Sequence, residues 1–193
     1  MAAARAAAGI SDHCGWAVVV CVAGDDVIDR RRIELVDAGL PWLPHHSEGQ
    51  RLPIDEAVAL VERVRASASD YAKRALDDLP ASVGAIAIRA RPALPPTIAE
   101  RITNYWAQTR ADGVMYRDVI AEAAEARGWP VSEYDVKTVF SDAAGTLGLD
   151  DISGFLDETG KTLGKPWTKD HRLAAAAAIV AAKTPRLAHN GRQ

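Results

Sequence analysis

Lys169, Asp170, His171 and Arg172 open the segment "KDHRLAAAAAIVAAK", which is otherwise nearly pure alanine. Four ionisable side chains in one helical turn admit two explanations. Thr168 is a candidate N-cap, and Asp170 in the first turn complements the positive end of the helix dipole, for roughly 0.3–1 kcal/mol. Alternatively, the turn is the edge of an active site. A second group stands near the start of the chain in "SDHCG", Ser11 to Gly15, and a third is the adjacent pair His45 and His46. If the three converge, His13, His46, Asp170 and His171 form a site suited to a transition metal or to general acid–base work. Taken singly, His45 and His46 in a proline-bounded loop read as surface residues. Cys14 beside His13 invites a nucleophile reading, since a neighbouring histidine activates a thiolate; a small buried residue at a strand start is the plainer one. "GISDHCG" is no phosphate loop, because no Gly-Lys-Ser follows it.

The elements that must position these residues come from a chain of 193 residues, 48% hydrophobic and 25% charged, enough to bury a core in one domain. Cys14 and Cys21, the only two cysteines, show neither metal-ligand spacing nor a secreted disulfide pattern, so a reducing cytoplasm is expected. "MAAARAAAG" lacks the apolar core of a secretory signal and reads as a frayed start over residues 1–10. The longest uncharged apolar run, "LAAAAAIVAA", falls far short of the roughly 20 residues that span a bilayer, so no membrane association is expected.

The net charge of −3 argues against a surface coated for nucleic acid, yet the charge is unevenly spread. From Lys161 onward the bases Lys161, Lys165, Lys169, Arg172, Lys183, Arg186 and Arg192 face the single acid Asp170. That distribution fits a phosphate-binding edge or a solvated terminus.

"GWAVVVCVAG" followed by "VIDRRRIELVD" reads as an antiparallel hairpin, with Arg30 and Arg32 on one face and Arg31 on the other. Apolar residues from Ala57 to Ala75 recur at helical spacing and predict a helix over 54–79. "SVGAIAIRA" reads as a buried strand. Two helical segments follow, with a capping box at Thr97 and Glu100 and a break expected at Ala111 to Gly113. "WPVSEYDV" is a short strand, and further helices close the chain. The order predicts an α/β protein: a mixed sheet with an N-terminal antiparallel hairpin, then parallel strands, flanked by helices. The expected domain covers 11–184, with a flexible tail over 185–193.

Three stretches carry a resemblance. "QTRADGVMYRDVIAEAAEARGWPVSEYDVKTVF", Gln108 to Phe140, resembles the centre of a RuvC-type resolvase of the ribonuclease H-like superfamily. It has Gly113-Val114 opening a helix, a glycine end at Gly128, a strand entering at Pro130-Val131, an aromatic at Tyr134 and the pair Val136-Lys137. "KDHRLAAAAAIVAA" resembles that family's last helix, and "SDHCGWAVVV" its first strand.

The resemblance implies a ribonuclease H-like fold and a divalent-metal-dependent nuclease, with Mg²⁺ or Mn²⁺ held by carboxylates from the first strand, a middle strand and the last helix. Carried over, Asp12, Asp170 and His171 would be catalytic and metal-binding, and Lys137, Lys169 and Arg172 would meet nucleic acid. At the middle strand, where the family has a glutamate, this sequence has Ile88 or Arg89, and an arginine there would repel a second cation. The alternative is a catalytically degenerate domain kept as a binding or scaffold module. Its partner would be nucleic acid or protein, or a second copy in a homodimer.

Overall fold

The computed structural model describes residues 6–183. Five strands, β1 (Ala6–His13), β2 (Trp16–Ala23), β3 (Asp26–Glu34), β4 (Val83–Arg89) and β5 (Val131–Tyr134), form one sheet in the order β3-β2-β1-β4-β5. β1 and β3 run antiparallel to β2, while β1, β4 and β5 are mutually parallel. This is the mixed sheet that the element order predicts.

Among the described residues six α-helices cover it: α1 (Ile54–Asp77), α2 (Ile98–Thr103), α3 (Tyr105–Glu125), α4 (Val139–Leu147), α5 (Ser153–Leu163) and α6 (Lys169–Lys183). Two cores follow from the alternation of side chains along each strand. Ala6, Ala8 and Ile10 of β1, with Ala17, Val19 and Cys21 of β2, pack against α1 and α3. Ala7 of β1, with Val18, Val20 and Val22 of β2, packs against α4, α5 and α6.

Residues 6–10 correct the expectation of a frayed start, because they lie in β1, at the centre of the sheet, and Ala6, Ala7, Ala8 and Ile10 are fully buried. Alanine has weak strand preference of its own, but a strand paired on both sides and covered on both faces is specified by its neighbours. The readings of residues 1–5 and 184–193 lie outside the described residues.

The capping box is present: Thr97 accepts from the Glu100 N–H, and Glu100 accepts from the Thr97 N–H. The helix break falls at Asn104 and not at Ala111–Gly113. The Asn104 side chain caps α3 by accepting from the Ala107 N–H at 3.0 Å, and α3 then runs unbroken through Gly113.

Arg30 leaves the sheet on the α6 side and donates to the carbonyls of Leu163 (2.7 Å), Gly164 (2.8 Å) and Pro166 (2.6 Å). Those carbonyls end α5 and lead into α6, and a cation beside them satisfies acceptors that the helix leaves open. Arg31, on the other face, donates to the Asp78 carbonyl just past α1. The two arginines therefore point as the strand period predicts, and Arg30 ties the entry of α6 to the sheet.

Candidate functional site

The carboxyl ends of β1 and β4 and the first turn of α6 meet at one edge of the sheet. Strand alternation divides the residues of "SDH" between its two faces. Ser11 and His13 point toward α6, where the Ser11 hydroxyl donates to Asp170 Oδ1 at 2.9 Å and His13 Nε2 lies 3.1 Å from the same oxygen. Asp12 points toward α3, where Arg117 Nε donates to its Oδ2 at 2.8 Å. The first strand and the last helix do converge, but Asp170 meets the neighbours of Asp12 and not Asp12 itself.

His13 is held on a second side. Its ring stacks on Trp16, its partner across the β1–β2 pair, with centroids 4.0 Å apart and planes 9° from parallel. The Arg32 guanidinium lies 4.1 Å from the centroid of the same indole. Burial works against ionisation of Asp170, but the hydrogen bonds from His13 and Ser11, with the charges of His13 and Arg89, outweigh it and hold its pKa below the ordinary carboxylate value.

His171 is 6% exposed and turns inward. The Thr168 N–H donates to its Nδ1 at 3.3 Å, and the Thr168 hydroxyl lies 2.8 Å from the same atom. Burial, followed by the charge of Arg30, lowers its pKa against the opposing pull of Asp170. The ring is therefore a neutral acceptor that orders the start of α6.

The remaining residues singled out in the sequence fall at different places. His46 is exposed, and only its backbone N–H engages the fold, donating to Asp112 Oδ2 at 3.1 Å. Lys137 is exposed between β5 and α4, and Lys169 is exposed at the start of α6. Arg172 is ion-paired with Asp157 of α5. His45, read as a surface residue, is 1% exposed.

A cleft of about 350 Å³ opens beside this edge, lined among others by Asp12, His13, Arg89, Arg110 and Arg117. Arg89 Nε lies 3.8 Å from Asp12 Oδ1, and Arg117 also donates from Nη1 to the Ala90 carbonyl at 3.1 Å. Asp12 is 3% exposed, so its charge is compensated inside the protein by two guanidinium groups.

These surroundings do not fit a divalent ion. One Asp12 oxygen is committed to Arg117, the other faces Arg89, and a Mg²⁺ or Mn²⁺ ion would have to approach both cations. Asp170 Oδ1 is taken by Ser11 and His13. Among the described residues, no three His, Cys, Asp or Glu side chains form a group able to hold a metal. Arg89, at the middle-strand position, ion-pairs with Asp12 and electrostatically favours the ionised form of Asp170.

Cys14 also lines the cleft, but burial, then the charges of Asp112 and Asp12, raise its thiol to a pKa of about 11. A shift from 9.0 to about 11 lowers the thiolate fraction about a hundredfold at neutral pH. Iodoacetamide should therefore modify Cys14 in the native protein about a hundredfold more slowly than an ordinary cysteine. Mass spectrometry over a labelling time course checks this, and rapid stoichiometric labelling at pH 7.5 would contradict the environment described.

No protein-family model and no curated protein matches the sequence. Solved structures similar to this chain include two of RuvC. T. thermophilus RuvC in complex with a Holliday junction substrate aligns over 91% of each chain with 13% identity and a TM-score of 0.52. A second Thermus thermophilus RuvC structure aligns over 91% of this chain and 92% of its own, with 12% identity and a TM-score of 0.44. The fold is RuvC-like, of the ribonuclease H type. Among the described residues no helix is long and apolar enough to cross a membrane.

The arginine pair on Asp12 is what sequence reasoning missed. Arg117 and Asp12 are 105 positions apart, and no local pattern links them. Arg110, Gly113 and Arg117 at i, i+3 and i+7 did carry a signal, since that spacing places them on one helical face.

Proposed function

We propose that this chain binds nucleic acid through its phosphodiester backbone, at the arginine-lined edge of a RuvC-like sheet, without a two-metal centre. The observation that carries the reading is the pairing of buried Asp12 with Arg117 at 2.8 Å and Arg89 at 3.8 Å. Asp12 becomes a positioning residue, and the cleft it borders carries three arginines against one carboxylate. Planar guanidinium groups held in place suit phosphate oxygens, and fixing them beforehand lowers the entropy lost on binding. The structural neighbour in complex with a Holliday junction supports nucleic acid as the ligand class. This is the binding-module alternative; the nuclease reading would need Asp12, Asp170 and His171 to gather an ion through the two arginines.

Fluorescence anisotropy with labelled four-way junction, duplex and single-stranded DNA, in EDTA, tests the proposal. Binding is expected without metal and should weaken steeply with salt. Arg110→Ala should reduce the magnitude of the log–log salt slope by about 0.9 on duplex or about 0.7 on single strands, for one lost phosphate contact. Absence of binding to every probe at about 50 mM salt would overturn the reading, because phosphate contacts are strongest there. Mg²⁺-dependent cleavage that disappears in Asp12→Asn would restore the nuclease in its place.

A further inference from the structure

Among the described residues the exposed aromatic side chains are Trp42, Tyr105 and Trp106, at 51%, 80% and 52% exposure. Each adjoins a segment that lines the cleft. Tyr105 and Trp106 form the first turn of α3, and the residues four positions on, Thr109 and Arg110, line the cleft wall. Trp42 packs at Gly15, whose positive φ of 85° forms the two-residue turn between β1 and β2; a Cβ there would come within 2.8 Å of the indole. Cys14, the other residue of that turn, lines the cleft.

Trp106, Arg110, Gly113 and Arg117 follow one another at i, i+4, i+7 and i+11, so they form a single stripe along α3, about 16 Å long at the helical rise. The stripe places an aromatic ring at its outer end, arginines along it and a glycine gap between them. Trp106 is also held in place. The Arg110 guanidinium lies 4.1 Å from its ring centroid, and Arg110 Nη1 and the Thr109 hydroxyl donate to the Trp106 carbonyl at 2.8 and 3.1 Å. An indole kept half in water, with a cation over it, has a chemical use that an isolated exposed tryptophan does not.

We propose that this stripe takes a single strand of nucleic acid, with an unpaired base stacked on Trp106, Tyr105 beside it, and phosphates of the same strand on Arg110 and Arg117. The inference rests on the nucleic-acid reading above and specifies its ligand. Sequence-tolerant stacking on aromatic rings along a cationic track is how single strands are held, because every unpaired base offers a π face. In a duplex those faces are already stacked on their neighbours. The charge of the stripe matches phosphate, and its length matches a few nucleotides.

The test uses the full chain in EDTA with a labelled deoxythymidine oligomer, a uridine oligomer, an abasic strand of equal length and a duplex. Wild type should bind both base-bearing strands more tightly than the abasic strand and the duplex. Trp106→Ala should weaken binding to the base-bearing strands about tenfold, the size of one lost base stack, and leave the abasic strand and duplex unchanged. Trp106→Phe should retain most of the affinity, and circular dichroism should show both variants folded, since the side chain is half exposed. Equal binding of strand and duplex, or an equal loss on all probes, would overturn the single-strand proposal while leaving backbone binding intact. Binding to none of the probes would remove the nucleic-acid reading itself. A Trp106→Ala variant that changes only the sedimentation of the protein, and no oligonucleotide affinity, would assign the aromatic patch to contact between protein chains and overturn the proposal.

Discussion

Asp112→Ala is expected to lower the melting temperature by about 6–20 °C, a loss of about 3–5 kcal/mol for a protein of this size. Asp112 lies in the middle of α3 and is 3% exposed. Its Oδ1 accepts from the His45 N–H at 2.9 Å and lies 2.8 Å from His45 Nδ1, while Oδ2 accepts from the His46 N–H at 3.1 Å. One carboxylate therefore satisfies two backbone donors of a loop with little other regular structure, and orients a buried imidazole. Removing it strands all three groups where water does not replace it, and orphaned buried donors cost more than the lost bonds contribute. Asp112→Asn keeps an acceptor oxygen but turns an NH₂ toward a donor, so an intermediate loss is expected. Urea titrations of both variants, read against the wild-type midpoint, separate these outcomes. A change in Asp112→Ala within about 0.5 kcal/mol, the range of ordinary surface substitutions, would show that the clamp contributes nothing.

That clamp also marks where the sequence stops being informative. The α1 helix, the β2–β3 hairpin, the buried β4 strand and the capping box at Thr97 are local. Apolar period, alternation and cap spacing are written in consecutive residues, and the structure follows them. β1 is non-local. "AAAGI" has the composition of a helix or a loose end, and becomes a strand because β2 and β4 pair with it on either side. Gly113 looks like a helix break in isolation, whereas in the fold it lies on the cleft side of α3, where Arg117 is the neighbour nearest to an added Cβ. The same holds for the site. The sequence, with its family resemblance, brings the first strand and last helix together, and Asp170 does reach Ser11 and His13. It does not show that Asp12 faces the opposite side of the sheet, because that depends on the register of β1, nor that Arg117 is waiting there. His45 is legible only through Asp112, 67 positions away.

Gly9→Ala carries the second large effect, and it explains the alanines of α6. A Cβ on Gly9 would stand 1.9 Å from the Ala174 carbonyl oxygen and 2.6 Å from the Ala178 nitrogen, so the obstacle is helix backbone and not a movable side chain. Ala174, Ala175, Ala176, Ala177 and Ala178 are all fully buried. The helix can lie this close to β1 only because the strand has a glycine beneath it and the helix has methyl groups. One added methyl must push α6 away by more than 1 Å to restore ordinary contact. That opens the packing along the whole helix, so the cost lies at the upper end of overpacking, about 3 kcal/mol, or about 6–12 °C in melting temperature. The displacement also strikes the candidate site, since α6 carries Asp170 to Ser11 and His13. The same substitution at Gly145 in α4 is the control. Nothing lies within 4 Å of its added Cβ, and alanine is the better helix former there, so stability should hold or rise by up to about 1 kcal/mol. Differential scanning calorimetry of the two variants reads both effects. Equal melting temperatures would mean that β1 and α6 are not in backbone contact. A drop at Gly9 alone would show that the small-residue face of α6 sets the distance at which its charged first turn meets the sheet.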